Sequence, residues 1–228
     1  MVSLLVWDQG AKVRFLLRRP KVKMINLFPY HYRFNLQTCQ LDDSIWFFGC
    51  SNVYGHELHD YQTAPAVLEK MIGMPVINLG ISGGNIFNIQ HNLSELITSH
   101  HPAAVVIAWP RPTRWVDQDG FNWGPWMLSP GYDTSALNQK WLTEYKKLIE
   151  TDDITRLTND AILNIRDIIN TLPSVEFTYT SCRMRKPVRT HEIQLIDFAP
   201  DKGHPGPNTN IKVAEWVYKQ LVVLDVTK

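Results

Sequence analysis

Residues 44–55 read Ser-Ile-Trp-Phe-Phe-Gly-Cys-Ser-Asn-Val-Tyr-Gly. The apolar run Ile45–Phe48 is too short for a helix and stops at Gly49, which is the pattern of a strand buried on both faces and running into a turn. Ser51 follows two residues later, so a sharp turn at Gly49 presents its hydroxyl just beyond the end of that strand. The fold follows from asking what surrounds this unit.

C-terminal to it, the spacing predicts a helix from about Tyr61, with Ala64, Val67, Leu68, Met71 and Ile72 on one face and Gly73 as its stop. A second short strand, Val76–Leu79, closes at Gly80, and a helix from about Gly84 carries Ile86, Ile89, Leu93, Leu96 and Ile97. A third buried run, Ala103–Trp109, comes next. Short apolar strands alternating with amphipathic helices predict an α/β fold with a central parallel sheet and helices on both faces.

After Trp109 the rhythm breaks over residues 110–139, which are rich in Pro, Gly and aromatic residues. So long an irregular segment inside a compact domain is a candidate functional insert. Helical patterning resumes at Lys140–Glu150 and Ile154–Leu172, followed by a strand at Val175–Thr180 and a strand-like run at Ile193–Phe198. A closing helix, about Asn208 to Val223, buries Ile211, Ala214, Val217, Tyr218 and Leu221. We read residues 1–228 as one domain, with a core of about 44–222 and an N-terminal extension, 1–43, that holds two β-like runs, Leu4–Trp7 and Val13–Leu17.

Composition narrows the function. With 23 basic and 22 acidic residues the formal net charge is +1, and only Arg18, Arg19, Lys21 and Lys23 cluster, so no concentrated positive surface for nucleic acid is expected. Three cysteines, Cys39, Cys50 and Cys182, form no disulfide framework, and no zinc-type pairing of Cys and His stands out. The apolar run Ser3–Trp7 is too short for a signal-peptide core or a membrane span. The expectation is a cytoplasmic protein without membrane partner, metal or cofactor.

The chemistry-bearing residues gather at predicted strand ends, where ligands bind in open parallel sheets. Ser51 follows the first strand; Gly80, Gly83 and Gly84 follow the second; and Asp201-Lys202-Gly203-His204 lies in a loop before the last helix. A serine hydroxyl becomes a useful nucleophile when an imidazole takes its proton, and a carboxylate holds that imidazole in the right tautomer. His204 and Asp201 supply such a pair, and the chain order Ser, Asp, His is one that this chemistry uses.

These segments resemble the motif blocks of the SGNH, or GDSL-like, hydrolase family. Gly49-Cys50-Ser51 is similar to the first block, Gly-Asp-Ser; Asn78-Leu79-Gly80 to the second; and Asp201-Lys202-Gly203-His204 to the last, Asp-x-x-His. The resemblance covers about residues 44–222 and implies a three-layer flavodoxin-like fold, a Ser51, Asp201 and His204 triad, and an oxyanion hole that includes the amides of Ser51 and Gly80. Cys50 stands where the family has Asp. The third block, Gly-x-Asn-Asp, is absent: the strand runs into Trp109-Pro110-Arg111-Pro112-Thr113-Arg114. A missing oxyanion donor costs about 10²–10³ in rate, so a replacement is expected from Asn85, with Arg114 as the competitor.

The implied activity is an esterase or deacetylase acting on a small acyl ester or an acylated carbohydrate. An O-acyltransferase would use the same residues, and a non-catalytic binding module would keep only the cleft. Substrate-binding candidates are Trp109, Arg114, Trp123 and Trp126. The aromatic insert serves either as a lid or sugar-stacking platform or as a satellite core. Arg183, Arg185 and Arg189 either bind an anionic substrate or solvate their loop. Cys50 is either a buried structural thiol or a reactive one, and His56 and His59 are read as surface residues.

Overall fold

The computed structural model describes residues 39–182 and 190–227. The two N-terminal β-like runs, the basic cluster around Pro20, and Arg183, Arg185 and Arg189 lie outside the described residues.

Seven strands and six α-helices follow in chain order among the described residues: β1 (Ile45–Gly49), α1 (Ser51–Tyr54), α2 (Ala64–Ile72), β2 (Val76–Gly80), α3 (Ile86–Ile97), β3 (Ala104–Trp109), β4 (Trp115–Val116), β5 (Asn122–Trp123), α4 (Gln139–Glu150), α5 (Asp153–Ile169), β6 (Ser174–Tyr179), β7 (His191–Ile193) and α6 (Pro207–Val223). The central sheet has the order β2-β1-β3-β6-β7, with every neighbouring pair parallel. Counted within this sheet alone the order is 2-1-3-4-5, the flavodoxin-like doubly wound arrangement. The chain steps outward from β1 to β2, then crosses back to lay β3 on the other side of β1. That reversal opens a crevice beyond the carboxyl ends of β1 and β3.

Alternation along the strands sorts the core into two layers. Trp46 and Phe48 of β1, Ile77 and Leu79 of β2, and Val105 and Ile107 of β3 pack against α3 and α5. Ile45 and Phe47, Val106 and Ala108, and Phe177 face the other way, onto Ala64 and Leu68 of α2 and Val213, Ala214 and Val217 of α6. Successive strand residues point to opposite faces. A strand covered on both faces must therefore be apolar throughout, which is why Ile45–Phe48 reads as a continuous hydrophobic run.

The structure corrects several expectations. The segment at Tyr61 is a 3₁₀ turn, Asp60–Gln62, and α2 starts only after Thr63, whose side chain accepts the Ala66 amide as the N-cap. Met71 is exposed, as is Ile211, because Leu68, Val213 and Val217 hold the positions that face the sheet. Tyr218 is only partly buried. The run Ile193–Phe198 is not one strand: β7 is His191–Ile193, and Asp197 turns away to accept the Asn208 and Thr209 amides at the start of α6. The core also begins before residue 44, since Leu41 is buried in it and its carbonyl accepts both Ser44 Oγ (2.7 Å) and Trp46 Nε1 (2.9 Å).

The insert is a structured unit. Strands β4 and β5 form an antiparallel hairpin, and Trp115, Trp123 and Met127 pack with Trp141, Leu142, Tyr145 and Leu148 of α4 into a satellite core. Asp117 holds the hairpin, accepting from the amides of Asp119 and Phe121 and from Trp123 Nε1, each at 2.8–2.9 Å. Among the described residues, no helix is long and apolar enough to cross a membrane.

Candidate active site

Glycine geometry at the end of β1 sets the first side chain. A Cβ on Gly49 would lie 2.4 Å from Val53 Cγ2 and 3.2 Å from the Ala108 carbonyl, so only glycine lets the chain double back directly into α1. Ser51 is the first residue of that one-turn helix. Gly55, in the left-handed region at φ 77°, ends the turn and donates its amide to the Ser51 carbonyl. The result is a serine side chain only 4% exposed but aimed at the crevice mouth, with Oγ 2.8 Å from His204 Nε2.

The loop at 197–206 supplies the other two side chains. The Ala199 amide donates to the His204 carbonyl and the Lys202 amide to the Ala199 carbonyl, folding residues 199–204 into a tight loop with Lys202 at φ 58°. Asp201 Oδ1 accepts the amides of Gly203 (3.0 Å) and His204 (3.1 Å), while Oδ2 is hydrogen-bonded to His204 Nδ1. The loop is fixed at its far end, where the Gly206 amide donates to the Asp197 carbonyl and the Asp197 carboxylate takes the first amides of α6. Partial burial pushes the Asp201 carboxyl upward, but hydrogen bonds from the Gly203 amide and from the ring and amide of His204 outweigh it and hold the group below the usual carboxylate range. An ionised Asp201 requires a proton on Nδ1, which leaves the Nε2 lone pair to accept from the Ser51 hydroxyl. The structure thus brings Ser51, His204 and Asp201 into one hydrogen-bonded chain.

The expected oxyanion donors need correction. The Gly80 amide already donates to Asn78 Oδ1 at 3.0 Å, so its proton is not free. The role of Gly80 is steric: a Cβ there would lie 2.4 Å from the Tyr54 amide nitrogen and 2.9 Å from the Val53 carbonyl carbon, and its absence lets β2 lie against the Ser51 helix. Asn85 is committed as well. It is fully buried as the N-cap of α3, its Oδ1 accepting the Asn88 amide and its Nδ2 donating to Asn122 Oδ1.

Between Gly80 and Asn85 the chain makes a turn in which the Gly84 amide donates to the Ile81 carbonyl and Gly83 has φ 73°, the geometry of a type II turn with glycine at its third position. Among the described residues, no acceptor meets the amide of Gly83. The available signal was the spacing Gly80-x-x-Gly83-Gly84, in which the second glycine marks the turn.

Of the substrate-binding candidates, Trp109 and Trp123 do not face the crevice. Trp109 is 0% exposed in the core against α3 and α5 and donates Nε1 to Glu176, and Trp123 is 1% exposed in the satellite core. Both indoles are drawn inward because apolar partners surround the ring and a carboxylate waits for its N–H. Trp126 is 37% exposed, with Gly124 against its six-membered ring and the Arg114 guanidinium 5.1 Å from the ring centroid. Arg114 donates Nη1 to the Gly84 carbonyl at 2.9 Å, which ties the insert to the glycine turn.

Beside Ser51, Cys50 and Cys182 are both buried and in thiol contact, and Asn52 Nδ2 donates to Cys182 Sγ at 3.6 Å. The hydrogen bond to Cys50, then burial, pushes the Cys182 thiol up. His56, read from the sequence as a surface residue, has its ring 5.0 Å from that of His204, because Gly55 reverses the chain after one helical turn. His59 instead stacks on exposed Tyr61 at the surface. Among the described residues, no three His, Cys, Asp or Glu side chains group as a metal site.

No family model and no curated protein matches the chain. Solved structures do resemble it. An esterase, EstA, from Pseudoalteromonas sp. aligns with 80% of this chain and 98% of its own, at 12% identity and a TM-score of 0.47. A carbohydrate esterase family 2 enzyme with a carbohydrate-binding domain, from Corynascus thermopiles, aligns with 82% of this chain and 68% of its own, at 15% identity and 0.47. A protein described as lipolytic and of the G-D-S-L family, from Desulfitobacterium hafniense, aligns with 79% and 100%, at 9% identity and 0.40.

Proposed function

We propose that this chain is a serine hydrolase of small acyl esters. The observation that supports the reading is the hydrogen-bonded series from Asp201 through His204 to Ser51, set in the crevice where the strand order reverses. In the proposed cycle Ser51 Oγ attacks the ester carbonyl carbon while His204 Nε2 takes its proton. The resulting imidazolium is stabilised by Asp201 and returns that proton to the departing alkoxide. An acyl group is left on Ser51. Water, deprotonated by His204, then attacks this ester, the acid departs, and the proton returns to Ser51.

The negative charge on the tetrahedral oxygen requires at least two donors. We assign them to the Ser51 amide, which as the first in α1 has no partner within its helix, and to the Gly83 amide, which meets no acceptor among the described residues. With Trp109 and Trp123 turned inward, the reading rests on ester chemistry and not on an aromatic sugar platform.

The test is a panel of short-chain nitrophenyl esters and acetylated sugars, assayed beside Ser51→Ala. Turnover that vanishes in Ser51→Ala is the expected result. A folded protein that hydrolyses none of them, or whose activity survives in Ser51→Ala, refutes the reading; saturable binding without turnover identifies a binding module on a hydrolase-like scaffold.

A further inference from the structure

Arg114 and Arg166 are both partly buried arginines, yet their surroundings differ. Arg166 is answered by Glu176, with Nε and Nη2 on the carboxylate at 2.6–3.2 Å. Arg114 has no such answer. Its Nη1 meets a neutral carbonyl and its ring neighbour Trp126 offers a π face; among the described residues its buried Nε has no acceptor and no carboxylate forms an ion pair with it. A cation held partly out of water without a counter-ion is costly. The arrangement persists because Gly124 backs the Trp126 ring and the Gly84 carbonyl fixes one arm of the fork.

The position is equally informative. Gly84 closes the turn that follows β2, and the end of β2 lies against the Ser51 helix. The guanidinium therefore stands on the rim of the same crevice. Its charge also reaches the neighbour of Ser51: contact with Cys182 holds the Cys50 thiol below the usual range against the opposing effect of burial, and Arg114 adds to that pull.

We infer that Arg114 is the anchor for an anionic group of the substrate, so that the esters taken by this site carry a carboxylate near the scissile bond. This rests on the esterase reading for the word substrate, but not for the binding itself. A planar fork with unused donors matches a carboxylate in a bidentate manner, which a lysine at the same place would not. A permanent anion supplies the missing counter-ion already in the ground-state complex. A transient oxyanion would leave the cation unpaired for most of the catalytic cycle.

The experiment separates binding from turnover by using Ser51→Ala. Two probe pairs are titrated by calorimetry: 3-acetoxybenzoate against 3-acetoxybenzamide, with the charge on the alcohol side, and 4-nitrophenyl hemisuccinate against 4-nitrophenyl butyrate, with it on the acyl side. In at least one pair the charged member is expected to bind about 10–100-fold more tightly. That preference shrinks as salt rises from about 50 to about 500 mM. It is lost in Ser51→Ala/Arg114→Gln and only partly restored by Arg114→Lys. Equal binding within both pairs overturns the inference, as does a salt-insensitive preference or one that survives Arg114→Gln. Failure of every ester to turn over in the unmodified protein sinks the catalytic reading alone, because these titrations need no turnover.

Discussion

Replacing Gly80 by alanine puts the packing of the site under direct test. The added Cβ would sit 2.4 Å from the Tyr54 amide nitrogen and 2.9 Å from the Val53 carbonyl carbon, both backbone atoms that cannot swing aside. Ordinary contact begins at 3.4 Å, so β2 and α1 must separate by about 1 Å. Overpacking of this kind costs about 1–3 kcal/mol, which for a chain of this size lowers Tm by roughly 2–12 °C. The movement falls on the helix that carries Ser51, and a misplacement of about 1 Å at a reacting group costs about 10²-fold in rate.

The assay is thermal unfolding followed by circular dichroism, with kcat/KM on the best ester measured below the transition. Gly73→Ala is the control: Gly73, unlike Gly80, needs a left-handed φ, 74°, but among the described residues no atom lies within 4 Å of an added Cβ, and it stands at the end of α2. It should lose about 1–2 kcal/mol through backbone strain without the kinetic penalty. A Gly80→Ala variant with the Tm and kcat/KM of the parent would refute the close approach of β2 to the Ser51 helix.

Four other outcomes are expected. Asp201→Asn and His204→Ala should each lower kcat by about 10³–10⁴ while Tm, read by the same melting experiment, changes little, since both side chains lie in a loop outside the two cores. Asn85→Ala should lose about 1 kcal/mol as a missing N-cap, seen as a fall in Tm; a drop in kcat with Tm unchanged would return it to the oxyanion hole. Asp117→Ala strands three donors of the hairpin, one of them the buried Trp123 indole, and should cost about 3 kcal/mol or more in chemical denaturation. Asp197 has a carboxyl held low, its partial burial outweighed by hydrogen bonds from Thr209 and Asn208. The stability it adds is therefore present above the unfolded carboxyl pKa and is lost as pH falls through the lower folded value, so Asp197→Asn should flatten the acid limb of a stability-versus-pH curve.

The parts legible in the sequence are those whose cause is local. Ile45–Phe48 and Ala104–Trp109 announce a parallel sheet because strands covered on both faces are apolar at every position, and Asp201-x-x-His204 announces its pairing because three residues of loop suffice to bring the groups together. Long-range commitments were not visible. Nothing in Gly80 reveals that Asn78, two residues back, takes its amide, or that its missing side chain matters to Tyr54. Trp109 and Trp123 look like ligand-binding aromatics beside an irregular segment, and only the packing of that segment on α4 shows that it builds a core of its own. Ile193–Phe198 reads as a strand because its composition is apolar, yet Asp197 within it is worth more as the anchor of α6. His56 is five residues from Ser51 on the chain, and its approach to His204 depends on a loop almost 150 residues away.

Covalent labelling measures directly whether Ser51 is a nucleophile activated by His204, without assuming any natural substrate. The protein is incubated with a fluorophosphonate, and the intact mass and the modified peptide are read by mass spectrometry. One adduct per chain is expected, located on Ser51, absent from Ser51→Ala and formed much more slowly in His204→Ala. A folded protein that stays unlabelled at Ser51, or that labels equally fast without His204, would contradict it.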